Sequence, residues 1–179
     1  MPHLSRSTLV VLFVAGTTAF AQGPPCNATT PAALGVFAGE FDVAIAFRAG
    51  PTSWDSTSGR ASFAPDLDAC LIVERFAGRR YGSPYSYLAL WGASGDSANA
   101  IQRTFVHSQH GVMGLSSGDW SRGRDSLVVR DSAMVRGRWI HERWVLTRPV
   151  DGRFAATGLR SEDGGLTWFA TARATFARR

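Results

Sequence analysis

The chain contains no lysine. All 19 of its basic residues are arginines, an arginine-only composition that GC-rich codon usage explains, and the formal net charge is +5. The arginines are spread along the chain with carboxylates between them. A nucleic-acid-binding domain would concentrate basic residues in a stripe or patch. The charge pattern therefore predicts no nucleic-acid partner.

Long apolar runs are also scarce. The longest begins at Leu9 and weakens before Ala21, and Arg6 is the only fixed positive charge ahead of it. A bilayer-spanning helix needs about 20 apolar residues, whereas Ala19-Phe20-Ala21 supplies the small residues of a signal-peptidase site. We expect residues 1–21 to be a cleaved signal peptide, with export to a periplasm or out of the cell and no later membrane span. The alternative is an uncleaved anchor.

Cysteine is limited to Cys26 and Cys70. Exported proteins meet oxidising conditions, in which paired cysteines usually bridge, so we predict a Cys26–Cys70 disulfide. Two unpaired thiols are the alternative. Two cysteines so far apart offer too few ligands for a metal site, and the histidines, such as His107 and His141, form no ligand cluster. We predict no metal and no cofactor.

Catalytic motifs are lacking as well. Gly114, Ser116 and Gly118 match the spacing of a nucleophile elbow, but that motif requires a strand followed by a helix. Here β-like sequence follows Ser116. The sequence therefore assigns no catalytic residue, and we favour a protein that is not an enzyme.

Alternation of apolar and polar residues is the dominant pattern after residue 38. Phe41, Val43, Ile45 and Phe47 alternate with polar or small residues, as in a half-buried strand. About ten such segments follow one another, separated by turn-forming sequence. This spacing is typical of a sandwich or barrel, and a meander without a long crossover favours an up-and-down antiparallel barrel of about 8–10 strands.

The domain organisation follows from these segments. Residues 22–33 are rich in proline and polar residues and predict a tether after the signal peptide. Thr30-Pro31 predicts the start of a short helix that ends near Phe37, because proline suits the first helical turn. Residues 34–179 form the predicted all-β barrel domain. Nothing in the sequence specifies an oligomeric state.

Two features resemble known proteins. Gly39-Glu40-Phe41 resembles the Gly-x-Trp motif that opens the first strand of lipocalins, with phenylalanine in place of tryptophan. The chain from residue 34 onward also resembles a bacterial exported family of unknown function whose barrel is lipocalin-like (calycin). The matching residues are Cys70, Glu74, Ser161, Asp163, Gly164, Gly165, Thr167, Trp168, Phe176 and Arg178. The resemblance implies the fold and says little about activity.

One strand departs from that family's pattern. Where the family carries Trp-x-Gln-x-Trp-x-Asp, this chain has Ile101, Arg103, Phe105 and His107. Basic groups thus replace the polar pair, so a ligand shared with the family is not expected.

The segment from Ser161 to Trp168 resembles the Asp-box turn of sialidase propellers. A propeller needs several such blades and a much longer chain, so we interpret the single copy as a structural turn. Asp163 can accept hydrogen bonds within its loop, and glycine permits positive φ. The predicted turn residues are Ser161, Asp163, Gly165, Thr167 and Trp168.

Polar and aromatic residues on two adjacent strands are the candidate ligand contacts. Alternation places Tyr85, Tyr87 and Trp91 on one strand face and Arg103, Phe105 and His107 on another. Arginine is rarely buried without a partner, so an inward Arg103 would indicate a polar or anionic ligand. The favoured hypothesis is a barrel that binds a small, partly apolar ligand in its interior. The alternative is an envelope interaction or structural module with a filled core and no ligand.

Overall fold

The computed structural model describes residues 33–94, 100–109, 111 and 113–179. The predicted signal peptide, Cys26 and most of the predicted tether lie outside these residues, so the Cys26–Cys70 disulfide stays a prediction. Within the described ranges, no helix is both long and apolar enough to cross a bilayer.

Ten antiparallel strands form a closed barrel, which confirms the predicted all-β up-and-down fold. Each strand pairs with its neighbours in sequence, and the first pairs with the last, so the described strands leave no open sheet edge. The strands are Gly39–Arg48 (β1), Trp54–Asp66 (β2), Leu71–Arg80 (β3), Ser83–Ala93 (β4), Ala100–His107 (β5), Gly114–Trp120 (β6), Ser126–Val135 (β7), Arg138–Thr147 (β8), Arg153–Ser161 (β9) and Phe169–Arg178 (β10).

Aromatic side chains fill one end of the barrel. A short 3-10 helix, Gly35–Phe37, precedes β1, and its Phe37 packs 5.1 Å from Phe154 and 5.9 Å from Trp120, measured between ring centroids. Phe154 stacks on Phe176 at 4.2 Å. Because these residues lie at the β1 start, the β6 end, the β9 start and the β10 end, the helix closes that end of the barrel.

In each of three hairpins, the turn consists of two residues with positive φ. The turns are Tyr81-Gly82, Arg136-Gly137 and Asp151-Gly152, with φ from 49° to 76°. Two-residue hairpin loops favour this geometry because its twist matches that of the strands, and glycine adopts it readily. The Arg136-Gly137 turn separates β7 from β8, although the sequence of residues 135–146 is typical of one continuous strand.

Strand β2 begins in sequence that is typical of a loop. Residues 49–59 are rich in Gly, Pro, Ser and Thr, yet β2 starts at Trp54 and pairs with β1 from Arg48↔Trp54 onward. Intrinsic β-propensity is weak compared with pairing and packing. A neighbouring strand of regular alternation is therefore enough to hold this segment extended.

Candidate binding cavity

A cavity lies inside the barrel beyond the aromatic end. Its volume is about 90 Å³, and seven strands contribute to its wall. Ala156 on β9 and Ala174 on β10 supply small side chains to one part of the wall. In a ring of ten strands these lie opposite β4 and β5, which carry large side chains. The cavity therefore exists because the small side chains on β9 and β10 leave space in front of the large side chains on β4 and β5.

Five of the six predicted ligand contacts line this cavity: Tyr85, Tyr87, Trp91, Arg103 and Phe105. Strand pairing brings them together, because Trp91 lies opposite Arg103 in the β4–β5 register and alternation turns both side chains inward. Their role as ligand contacts stays a prediction.

His107, the sixth predicted contact, lies at the end of β5. Its ring centroid is 5.7 Å from that of Tyr85, but it is not part of the cavity wall. His107 therefore contacts Tyr85, which lines the cavity, but does not line the cavity itself.

A buried carboxylate organises the polar part of the wall. Glu74 on β3 is 3% exposed. It accepts a hydrogen bond from the Tyr87 hydroxyl, one from the Trp91 indole N–H at 2.8 Å and one from Arg103 Nη2 at 3.4 Å. A buried charge is tolerated when it is paired and hydrogen-bonded, and Glu74 meets both conditions.

Aromatic rings surround the Arg103 guanidinium. Its central carbon is 4.7 Å from the ring centroid of Phe105, 4.9 Å from Trp91 and 5.8 Å from Tyr87. Such distances permit cation–π attraction, which strengthens when the cation is desolvated. Arg103 is thus held by one carboxylate and three rings, and its orientation is fixed before any ligand arrives.

The two inward tyrosines on β4 stay protonated over a wide pH range. Burial raises the pKa of Tyr87 well above its usual range, and the nearby charge of Glu74 raises it further. Burial also raises the pKa of Tyr85, while the positive charge of Arg80 opposes the rise. Both phenols therefore offer a neutral hydroxyl near neutral pH.

At the end of the barrel opposite the helix, we define a rim cluster as Phe47, Arg80, Tyr81, Tyr85 and His107. The Arg80 guanidinium carbon is 5.0 Å from the ring centroid of Phe47, 5.2 Å from Tyr81 and 5.6 Å from Tyr85. Arg80 ends β3 on the same face as Glu74 and Phe76, so alternation directs it inward.

Two guanidinium groups at or beside the cavity hold buried donors without an acceptor. In the part of the chain that the structure describes, the Nε of Arg80 and the Nε of Arg103 have no hydrogen-bond partner. An unsatisfied buried donor costs about 1–3 kcal/mol. Both donors belong to side chains at or beside the cavity, so an acceptor placed there would be stabilised.

Further charges face inward on the β6–β9 side but do not line the cavity. Glu142 accepts from Arg160, and Asp131 accepts from Ser116 at 3.3 Å. Burial raises the pKa of Asp131, and the charge of Glu142 adds to the rise. Ser116 thus lies in mid-strand beside a carboxylate, unlike the serine of a strand-to-helix elbow.

The loop between β9 and β10 brings the predicted turn residues together. Asp163 accepts from the Ser161 hydroxyl at 2.7 Å and from the Thr167 N–H at 2.9 Å, and the Trp168 indole donates to the Gly165 carbonyl at 3.0 Å. The hydrogen bond from the Thr167 hydroxyl is the largest cause that lowers the pKa of Asp163 to about 2. The hydrogen bonds are internal to the loop.

Sequence reasoning missed three residues that shape this region. Alternation along residues 70–76 places Glu74 on one face with Phe76, and an ionisable residue on an apolar face was the available signal. Arg80 was missed because the Gly- and Pro-containing sequence of residues 78–84 is typical of a turn. Trp144 lines the cavity from β8, and no local signal separated it from core aromatics. Among the described residues, no three His, Cys, Asp or Glu side chains are grouped to hold a metal.

Comparison with known proteins identifies the fold only. The chain matches no protein-family model and no curated protein. Among solved structures, it is similar to the crystal structure of Rv2717c from M. tuberculosis, with a TM-score of 0.60 over 84% of this chain and 97% of that chain. The two sequences are 12% identical, so this similarity concerns the fold alone.

Proposed function

We propose that this protein is a non-enzymatic exported barrel that binds a small, partly apolar ligand in its interior. One observation carries the proposal: a largely apolar cavity contains the prearranged Glu74–Arg103 pair with an unsatisfied guanidinium donor. Ligand sites commonly combine apolar walls with a few oriented polar groups. The wall here has that composition.

Cavity size limits the ligand. Ligand pockets usually measure about 300–1,000 Å³, and an engineered cavity of about 150 Å³ accepts benzene. The present cavity of about 90 Å³ is smaller than either. The proposed occupant is therefore a small group, or the end of a molecule that extends past the rim cluster.

The proposed setting is a periplasm or the cell exterior. The N-terminal signal pattern of residues 1–21 supports export, and the Cys26–Cys70 disulfide would then form in an oxidising compartment. The residues shared with the exported bacterial family support the same assignment and a lipocalin-like description of the barrel.

A second candidate function is an interaction module. At the tip of the β7–β8 hairpin, Met134 and Trp139 form a cross-strand pair and are 55% and 56% exposed, and Val135 beside them is 50% exposed. Exposed apolar groups of this kind can mark a contact surface. This hypothesis requires no ligand in the interior.

Native mass spectrometry of the mature protein from its own organism separates the two functions. We expect a small molecule that is lost on denaturation. Ala156→Leu should abolish the extra mass because it fills the cavity, whereas Ala155→Leu, on the outer face of the same strand, should retain it. A bare wild-type protein, or an extra mass that persists in Ala156→Leu, would favour the interaction module.

A further inference from the structure

We infer that the ligand carries an anionic, carboxylate-like end, which Arg80 and the Tyr85 hydroxyl hold at the rim cluster while the apolar body enters the cavity. This inference rests on the proposed function and names the chemical class of its ligand. It also assigns a binding role to Arg80, a residue outside the predicted contacts.

Hydrogen-bond donors outnumber free acceptors at the cavity. Glu74 is the one carboxylate among the described residues that line it, and it is already engaged by Tyr87, Trp91 and Arg103. Arg80 and Arg103 retain buried Nε donors that no described residue accepts. A ligand that contributes acceptor oxygens would satisfy these donors, whereas a ligand that contributes donors would face further donors.

Arg80 is held in place without a carboxylate partner among the described residues. Among the described residues, Arg80 takes part in no ion pair. The nearby carboxylate of Asp55 instead accepts the Tyr81 backbone N–H at 2.6 Å. Three aromatic rings fix the Arg80 guanidinium in place. A cation that is immobilised and lacks a carboxylate partner is suited to bind an anion with two parallel hydrogen bonds.

The rim cluster is continuous with the cavity through Tyr85. Tyr85 lines the cavity and lies within electrostatic reach of both Arg80 and Arg103. Below it, Phe76 and Tyr87 stack with ring centroids 5.2 Å apart and an interplanar angle of 13°. A short apolar chain could lie along these rings while its charged end stays at Arg80. The class that fits is a small aliphatic monoacid, because a cavity of about 90 Å³ is too small for an aromatic ring.

The test compares two probes of similar shape, propionate and propionamide, by isothermal titration calorimetry with the full mature protein. Charge-assisted hydrogen bonds are about twice as strong as neutral ones, so we expect propionate to bind about tenfold more tightly than propionamide. Arg80→Gln should remove this preference. Arg79→Gln is the matched control, because Arg79 precedes Arg80 on β3, is exposed and points outward.

Each outcome bears on a different statement. Equal affinity of the two probes for the wild type would overturn the anionic ligand and leave the cavity function standing. Binding of neither probe at millimolar concentration would overturn the cavity function itself. An equal loss in Arg79→Gln and Arg80→Gln would assign the preference to overall charge and overturn the role of Arg80. Ala156→Leu should weaken both probes, and unchanged binding there would place the probes outside the barrel.

Discussion

Glu74 and Arg103 form an ion pair inside the barrel, with 3.4 Å between the carboxylate Oε2 and the guanidinium Nη2. The two side chains are 4% and 12% exposed. Pairing offsets the loss of hydration for both charges, and the three hydrogen bonds to Glu74 tie β3 to β4 and β5. The pair thus stabilises the barrel and positions the polar groups of the cavity.

Removal of either charge should destabilise the fold strongly. We expect Glu74→Met or Arg103→Met to lower the free energy of unfolding by about 3–5 kcal/mol, because the remaining charge stays buried without its partner. The double variant should lose less than the sum, with a coupling of about 1–3 kcal/mol. Urea unfolding of the four proteins measures this coupling. Simple additivity would show that the ion pair contributes nothing to stability.

Tyr87 should make the protein sensitive to alkali. Because the pKa of Tyr87 is raised in the folded state, the folded protein keeps the phenolic proton after the unfolded chain begins to lose it near pH 10. This contribution to stability is complete below pH 10 and is lost as pH rises toward the folded-state pKa. Unfolding free energies measured from pH 8 to 11 should therefore fall.

The matched variants are Tyr87→Phe and Tyr81→Phe, since Tyr81 is 50% exposed. The fall in stability above pH 10 should be shallower in Tyr87→Phe and unchanged in Tyr81→Phe. Identical pH profiles in both variants would contradict the assignment to Tyr87.

Asp163 should contribute stability to the folded protein that is lost in acid. Its pKa is lowered to about 2, chiefly by the hydrogen bond from Thr167, so the contribution is present above pH 4 and is lost as pH falls through about 2. Asp163→Ala should lower the thermal midpoint at neutral pH, and the difference from wild type should shrink as pH falls below 4 and be lost below about pH 2. Glu162→Ala, in the same loop, should match wild type throughout. A constant difference at every pH would indicate that the carboxylate charge is irrelevant.

Gly59 should tolerate no side chain. A Cβ there would lie 2.6 Å from the Ala77 carbonyl oxygen and 2.7 Å from the Phe76 ring. Gly59→Ala should therefore destabilise by about 1–3 kcal/mol through overpacking, and it should weaken any ligand that contacts Phe76. Gly92→Ala is the control, since nothing lies within 4 Å of its Cβ position. Chemical denaturation of both variants gives the comparison, and equal midpoints would refute the steric argument.

Alternation along single strands made the fold predictable from sequence. Tyr85, Tyr87 and Trp91 differ by even numbers, so any extended conformation places them on one face, and the same holds for Arg103 and Phe105. The up-and-down order followed from short turns without a crossover. Strand alternation and short turns depend only on residues close together in the chain, so they can be predicted from short segments of sequence.

The cavity itself depends on contacts that no local pattern encodes. Glu74 acquires its role from Trp91 and Arg103, which are 17 and 29 residues away in the chain. Arg80 faces the interior only because β3 extends to the tight Tyr81-Gly82 turn. The start of β2 at Trp54 likewise depends on pairing with β1. Prediction from sequence failed where the conformation or role of a segment depends on the strand that pairs with it or packs against it.

The first and last strands of the barrel are neighbours: Phe41 pairs with Arg178, and the Arg179 N–H donates to the Glu40 carbonyl at 3.0 Å. In a closed meander every strand has two partners, so the strand order is cyclic and has no privileged starting point. A linker from residue 179 back to residue 33, ahead of the short helix, combined with a new opening at the exposed turn 122–124, would keep Phe37 in the core and leave all ten strand pairings in place. The barrel is therefore a scaffold for circular permutation, in which the chain ends can be moved to any hairpin turn.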